Sequence, residues 1–379
     1  LNANGTTMDF LNLARPSVRE LSPYQAGTTI DQAKRRFGLD RVVKLSSNEN
    51  PLGPSPKALA ALAHIPDAHL YADDDHTELK ARLAEPHGLT ADHTFLGHGS
   101  NDILMTFFAT FVGAGDEVVM ARPTFSLFPA FARIVDATVV EVPLRDGVHD
   151  LDAMAAAVTP RTKVVVICDP NNPSSTCVDP DAFARFAQAL PPRVLLMLDQ
   201  AYREYMPAAS VEGIAYVTRR PGTIVTRTMS KLYGLASIRF GYGFADPGMI
   251  ALMQRVRVPF NVSRPAAIAA RAAIEDSEFA ARTAAMNDAG RAQLAAAFAR
   301  LGLFMYPSAA NFVAVQVPVT ATAAYTGLLQ RGVVVRSGDA LGLPGFLRIT
   351  IGTPPENAAL IAALEALLPA WRASAPLPA

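Results

Sequence analysis

Between about residues 95 and 245, short apolar runs alternate with helix-like stretches, and that alternation leaves few folds open to the chain. The runs are Glu117-Val-Val-Met-Ala, Thr138-Val-Val-Glu-Val, Lys163-Val-Val-Val-Ile-Cys168, Val194-Leu-Leu-Met-Leu, Thr223-Ile-Val-Thr and Arg239-Phe-Gly-Tyr-Gly-Phe. Several are apolar at consecutive positions, as strands covered by helices on both faces should be. Asn101 to Val112 and Asp181 to Leu190 read as connecting helices. The pattern predicts an α/β fold built on a mostly parallel sheet. Ligands bind such sheets at the carboxyl ends of the strands, and Asp199 and Lys231 both follow apolar runs.

After Pro265 the composition shifts. Alanine-rich helices run from about 266 to 300. Then come strand-like runs at Asn311-Phe-Val-Ala-Val-Gln-Val, Gly332-Val-Val-Val-Arg336 and Phe346-Leu-Arg348-Ile-Thr-Ile, and a closing helix. This reads as a second, smaller α+β domain.

The stretch Arg227-Thr-Met-Ser-Lys-Leu-Tyr-Gly-Leu-Ala-Ser-Ile-Arg239 carries the sharpest chemical signal. An isolated lysine is usually a solvated surface charge, but Lys231 sits among apolar residues, between Ser230 and a glycine-containing segment. A phosphorylated aldehyde cofactor needs an amine to form an imine, and hydroxyl and guanidinium donors for its phosphate. Asp199 ends the run Val194-Leu-Leu-Met-Leu, with the Tyr202 phenol three residues on. A carboxylate there can cap a helix. It can equally hold a proton on a pyridinium nitrogen.

These segments resemble the fold type I pyridoxal-phosphate-dependent aminotransferases, most closely histidinol-phosphate aminotransferases and their aromatic-accepting relatives. The resemblance runs from about Tyr24 to Glu365 and implies a roughly seven-stranded sheet between helix layers. It also implies an N-terminal arm and small-domain segment at 1–60, a cofactor-binding domain at 61–270 and a small C-terminal domain at 271–379. It assigns catalysis to Lys231, Asp199 and Tyr202. The cofactor phosphate goes to the turn Gly99-Ser100-Asn101, with Thr228, Ser230 and Arg239. Phe125 stacks on the ring, and Asn172 in Asp169-Pro-Asn-Asn-Pro binds its oxygen. Tyr71 reaches the cofactor of a neighbouring subunit, which implies a homodimer. Arg348 grips an α-carboxylate and Arg336 helps hold a phosphate. Tyr24 and Asn50 fall on the substrate side. The implied reaction moves an amino group from histidinol phosphate, or an aromatic amino acid, to a 2-oxo acid such as 2-oxoglutarate. Threonine-phosphate-type decarboxylases share the same lysine and aspartate, and a non-catalytic regulator on this fold is a further alternative.

Some positions depart from the family pattern: Ala72 for Pro, His98 for Asn, Ser174-Ser175 for Thr-Gly, Gln200 for Glu, and the loop 337–343. The Gln200 side chain is expected to point away from the ring. Serine avoids backbone angles that glycine takes, so the 174–175 loop bears watching.

Charge argues against some partners. Lys plus Arg and Asp plus Glu each number 34, so neither nucleic acid nor an anionic membrane is expected. No apolar run reaches the ~18 residues of a membrane span. No secretory signal is visible at Leu1-Asn-Ala-Asn-Gly. The two cysteines, Cys168 and Cys177, fit a reducing, cytoplasmic setting rather than a disulfide framework. Six of the seven histidines lie between residues 64 and 98, beside Asp73-Asp-Asp75, but their spacing matches no standard metal motif, and no metal is expected.

Overall fold

The computed structural model describes residues 10–23, 27–65 and 67–374. The first strand, β1 (Val43–Lys44), finds its partner late in the chain. The next seven are β2 (Thr94–His98), β3 (Glu117–Arg122), β4 (Thr138–Pro143), β5 (Thr162–Cys168), β6 (Leu195–Asp199), β7 (Thr223–Thr228) and β8 (Phe240–Phe244). They form one sheet in the order β2-β8-β7-β6-β5-β3-β4. β8 runs antiparallel to both neighbours, β2 and β7, while the pairs from β7 to β4 are parallel.

Strand alternation sorts the side chains into two cores. Val118, Met120, Val164, Val166, Met197 and Ile224 face the layer that contains helices Ser100–Phe111, Leu127–Ile134 and Pro247–Met253. Val119, Val165, Ile167, Leu196, Leu198 and Val225 face the layer that contains Leu151–Ala156, Pro180–Ala189 and Arg264–Ile274. Each fully buried aliphatic side chain contributes roughly 1.5–3 kcal/mol, which is why these runs are apolar on both faces. The period of two also places Asp199 on the same face as Met197, and Thr226 on the same face as Ile224. Two polar groups thereby arrive side by side at the sheet's carboxyl edge.

A second core lies beyond. β9 (Phe312–Gln316), β10 (Val333–Val334), β11 (Arg336–Ser337) and β12 (Phe346–Thr350) supply its strands. β11, β12 and β9 form an antiparallel sheet in that order, and β10 pairs in parallel with β1. Val43 and Leu45 pack there with Val313, Leu347, Leu360 and Trp371. The alanine-rich region is two helices, Arg264–Ile274 and Ser277–Arg300. Asp276 breaks it: one oxygen accepts from the Phe279 N–H to start the second helix, and the other accepts from the Ser55 hydroxyl at 2.6 Å.

The run Gly332-Val-Val-Val-Arg336 differs from a single strand. Val333–Val334 joins β1 while Arg336–Ser337 turns to join β12. Val335 between them is buried in the second core. Among the described residues, no helix is long and apolar enough to cross a membrane.

Candidate active site

A cavity of about 270 Å³ opens where β6 and β7 end and the second core begins. That approaches the ~300 Å³ lower bound of ordinary small-molecule sites. Gly99 precedes the helix Ser100–Phe111 with φ 74° and carries no side-chain cap, so Ser100 and Asn101 present the helix N-terminus to the cavity. The turn fits tightly. A Cβ on Gly99 would collide with the Arg239 guanidinium, and one on Gly241 would collide with the Ser100 nitrogen. Arg239 itself holds φ 63°, with its carbonyl accepting from Gly99 N–H at 3.1 Å. The Thr228 hydroxyl donates to Ser230 Oγ at 3.0 Å, and both line the same end. Two hydroxyls, a guanidinium and a helix N-terminus converge there, a donor set suited to a phosphate.

The opposite wall is acidic. Asp199 is 4% exposed and its Oδ1 accepts from the Thr226 hydroxyl at 2.8 Å. Burial pushes its carboxyl up to about 6, against the hydrogen bonds from Thr226 and the Ala201 N–H. Cys168 approaches the other oxygen at 4.0 Å. Such a carboxylate suits a cationic ring nitrogen as its counterion.

Lys231 lies between these ends. Its Nζ donates to the Ser47 carbonyl at a long 3.4 Å and stands 5.7 Å from the centre of the Tyr202 ring. Burial first, then the Arg348 charge, bring its ammonium down to about 8. An amine so lightly held and so easily deprotonated is a competent nucleophile and base. The Tyr202 phenol is buried, which pushes it up to about 12, and it accepts from Asn48 Nδ2 at 3.0 Å. Phe125 lines the cavity and meets Phe128 edge-on, 5.5 Å between ring centres.

Two arginines close the far side. Arg336 and Arg348 are Cα partners across β11 and β12, so both side chains leave the same face. Arg348 donates from Nη1 to Asn172 Oδ1 at 2.8 Å and from Nη2 to the Ser46 carbonyl at 2.7 Å. Asn172 and Arg348 are thereby oriented by each other. The departure at Gln200 turns its amide away, to the Val211 carbonyl at 2.9 Å.

Asn50 and Tyr71, both expected at the site, lie away from this cavity. Asn50 does not line the cavity: its Nδ2 donates to the Leu232 carbonyl at 2.7 Å, behind Lys231. Tyr71 is 79% exposed, stacks on Phe260 at 4.5 Å and is also not in this chain's cavity. Tyr24 lies outside the described residues. Conversely, Gly27, Ser46, Ser47, Asn48 and Ala201 line the cavity without having been singled out. Asn48 had a visible signal, since it stands two residues from Asn50 in the same motif, whereas Ser46 had none. Among the described residues, no three metal-ligating side chains gather.

An amine, a buried carboxylate, an anion cradle and paired arginines at the strand ends define a group-transfer enzyme for small anionic substrates. The chain belongs to the aminotransferase class I and II family, whose model matches residues 40–364. It is 47% identical over 365 residues to histidinol-phosphate aminotransferase 2 of Ralstonia nicotianae, covering 94% of this chain and 98% of that one. It is 42% identical to histidinol-phosphate aminotransferase of Moorella thermoacetica, covering 93% and 92%. The crystal structure of histidinol-phosphate aminotransferase from Sinorhizobium meliloti, in complex with pyridoxal-5'-phosphate, superposes with a TM-score of 0.86 at 29% identity, covering 94% and 97%.

Proposed function

We propose that this aminotransferase moves an amino group from histidinol phosphate to a 2-oxo acid such as 2-oxoglutarate, using pyridoxal phosphate. The observation that carries the reading is the convergence of Lys231, Asp199 and the Arg336–Arg348 pair on one cavity. The names of the Ralstonia and Moorella relatives support the donor, and the Sinorhizobium complex supports the cofactor. The residues present fit that cofactor: an anion cradle at one end, a buried carboxylate at the other and an amine between. Once bound, it supplies a carbonyl that exchanges amino groups and a ring that withdraws electrons.

The chain's residues then divide the work. Ser100, Asn101, Thr228, Ser230 and Arg239 hold the cofactor phosphate, with Gly99 giving them room. Phe125 would cover the ring face, Asn172 and Tyr202 would donate to the ring oxygen, and Asp199 would keep the ring nitrogen protonated. Lys231 Nζ would anchor the cofactor and would take the proton from the donor Cα. Arg348 binds the carboxylate of the oxo acid, and Arg336 joins it on the donor phosphate. Asn50 supports the backbone behind Lys231 through the Leu232 carbonyl.

The exposed group of Leu70, Tyr71, Val258 and Phe260 supports a homodimer in which Tyr71 serves the partner's cofactor. Free thiols at Cys168 and Cys177 support a cytoplasmic setting. The test is the visible absorbance of the purified protein, followed as histidinol phosphate, phenylalanine and glutamate are added in turn. Histidinol phosphate should discharge the resting band at the lowest concentration. Failure to do so overturns the donor, and carbon dioxide release in place of amino transfer would mark a decarboxylase.

A further inference from the structure

Ser46, Ser47 and Asn48 are consecutive, and each meets a different member of the site. The Ser46 carbonyl accepts from Arg348 Nη2 at 2.7 Å, the Ser47 carbonyl accepts from Lys231 Nζ at 3.4 Å, and Asn48 Nδ2 donates to the Tyr202 phenol at 3.0 Å. Asn48 is 2% exposed, and its backbone is anchored without help from its side chain. Its N–H donates to Thr350 Oγ1 at 2.9 Å, and its carbonyl accepts from Asn311 Nδ2 at 3.0 Å. Among the described residues, its side chain bonds only to the hydroxyls of Tyr202 and Thr350. Thr350 Oγ1 donates to Oδ1 at 3.3 Å, which settles which end of the amide is the oxygen and turns Nδ2 to the phenol. The Tyr202 ring is itself fixed, edge-on to Phe312 with 5.1 Å between ring centres. The torsion of its O–H bond is the freedom that remains.

We infer that Asn48 is a positioning residue that makes the Tyr202 phenol a hydrogen-bond donor to the cofactor's ring oxygen. An amide NH₂ only donates, so the phenol oxygen must accept from it, and the phenol hydrogen is left for another partner. Asn48 and Tyr202 both line the cavity, so that partner is a ligand there. An acceptor in place of Nδ2 would take the phenol hydrogen for itself. Burial drives the phenol up, and the Arg348 charge and then the bond from Asn48 oppose the rise. A bond that eases loss of the phenol proton also strengthens the phenol as a donor. The inference rests on the placement of Tyr202 at the ring oxygen and goes beyond it, since Tyr202 alone does not decide where its hydrogen points.

The test is the pH midpoint at which the visible band of bound pyridoxal phosphate changes form, read by absorbance in holoenzymes. A donor on the ring oxygen favours the form in which that oxygen carries more negative charge, so losing the donor moves the midpoint upward. Asn48 holds φ 54°, which glycine adopts freely, and Asn48→Gly keeps both backbone bonds while removing the amide. Its midpoint should rise by about half to one pH unit, the worth of one hydrogen bond. In a Tyr202→Phe background the same substitution should shift nothing further, because the two residues act through one bond. Asn48→Asp keeps the shape and replaces the donor with an acceptor. Its charge moves the midpoint in both backgrounds, and the move should be larger where the phenol is present. An unaltered midpoint in Asn48→Gly, or equal shifts with and without the phenol in either variant, overturns the inference. Should Asn48→Gly not retain the cofactor, the Asn48→Asp comparison decides. If Tyr202→Phe alone leaves the midpoint in place, the placement of Tyr202 at the ring oxygen fails, and the inference falls with it.

Discussion

Asp199 should destabilise the protein in which it is needed, and the size of that effect follows from its burial. Its carboxyl is held at about 6 rather than the ordinary 3.8, chiefly by loss of solvent, with one hydroxyl and one N–H as partners. A raised carboxyl favours the neutral form in the native state. The stability it contributes is complete below about pH 4 and is lost as the pH rises through 6. At pH 8 the gap of about two pH units corresponds to roughly 3 kcal/mol against folding, and at pH 5 to about half of that. Asp199→Asn keeps the shape and the acceptor for Thr226 while removing the charge. The cofactor-stripped variant should therefore be more stable than stripped wild type, by a margin larger at pH 8 than at pH 5 by on the order of 1 kcal/mol. Urea unfolding at matched protein concentration measures both margins; titrating groups that do not feel Asp199 cancel in the difference, and Lys231→Ala as the common background of this measurement removes the amine that does. With pyridoxal phosphate restored, the order should reverse, and turnover should fall by about 10²-fold or more, as when a preorganised charge is removed from an active site. A margin that is the same at both pH values, or a variant less stable at pH 8 when stripped, would refute the argument.

Lys231, depressed to about 8, should make capture of pyridoxal phosphate by stripped protein accelerate with pH through about 8 and level off above it. A midpoint near the ordinary 10.5 in the growth of the absorbance band would contradict that assignment. Arg348→Gln should move the midpoint upward, since the Arg348 charge helps lower it. Mixing inactive Lys231→Ala with inactive Tyr71→Ala should restore activity, because a mixed dimer then holds one site with both wild-type residues; no recovery despite exchanged subunits would place Tyr71 in its own chain's site. Gly234→Ala should lower the urea midpoint by the equivalent of about 2 kcal/mol or more, because its Cβ would meet the backbone of Gly53 and Pro54 at φ +67°; an unchanged midpoint would show that the Lys231 loop can yield.

The central strands were legible because burial on both faces writes itself as unbroken Val, Leu and Ile. Direction was less so: β8 lies antiparallel, and nothing in Phe240-Gly-Tyr-Gly-Phe244 marks that. β2 escaped notice because its last residues, Gly97 and His98, also read as the start of a turn. Ser175 occupies φ 67° where relatives place glycine, so the loop keeps the glycine conformation in spite of the substitution. Its N–H donates to the Asn171 carbonyl at 2.8 Å and its carbonyl accepts from Ala309 N–H at 2.9 Å. Those bonds hold a conformation that costs a non-glycine residue roughly 1–2 kcal/mol, and the second comes from a partner that no local pattern reveals.

The substrate side was harder to read than the cofactor side for a related reason. Lys231, Ser230 and Arg239 fall within ten residues, so one short motif carries them. The arginine wall is assembled across the chain. Arg348 reaches back 302 residues to the Ser46 carbonyl, and Asn48 donates from Nδ2 to the Tyr202 phenol while its own N–H donates to Thr350, also 302 residues away. Whether Asn48 or Asn50 faces the cavity is decided by that tertiary bonding and by the φ of 54° at Asn48. Strand register, not spacing, sets Arg336 beside Arg348. The segment that specifies the chemistry is thus local, while the wall that discriminates substrates is built from long-range contacts. Substitutions in that wall can then alter substrate choice while leaving the lysine motif intact, which is the physical reason a shared motif identifies the cofactor more firmly than the donor.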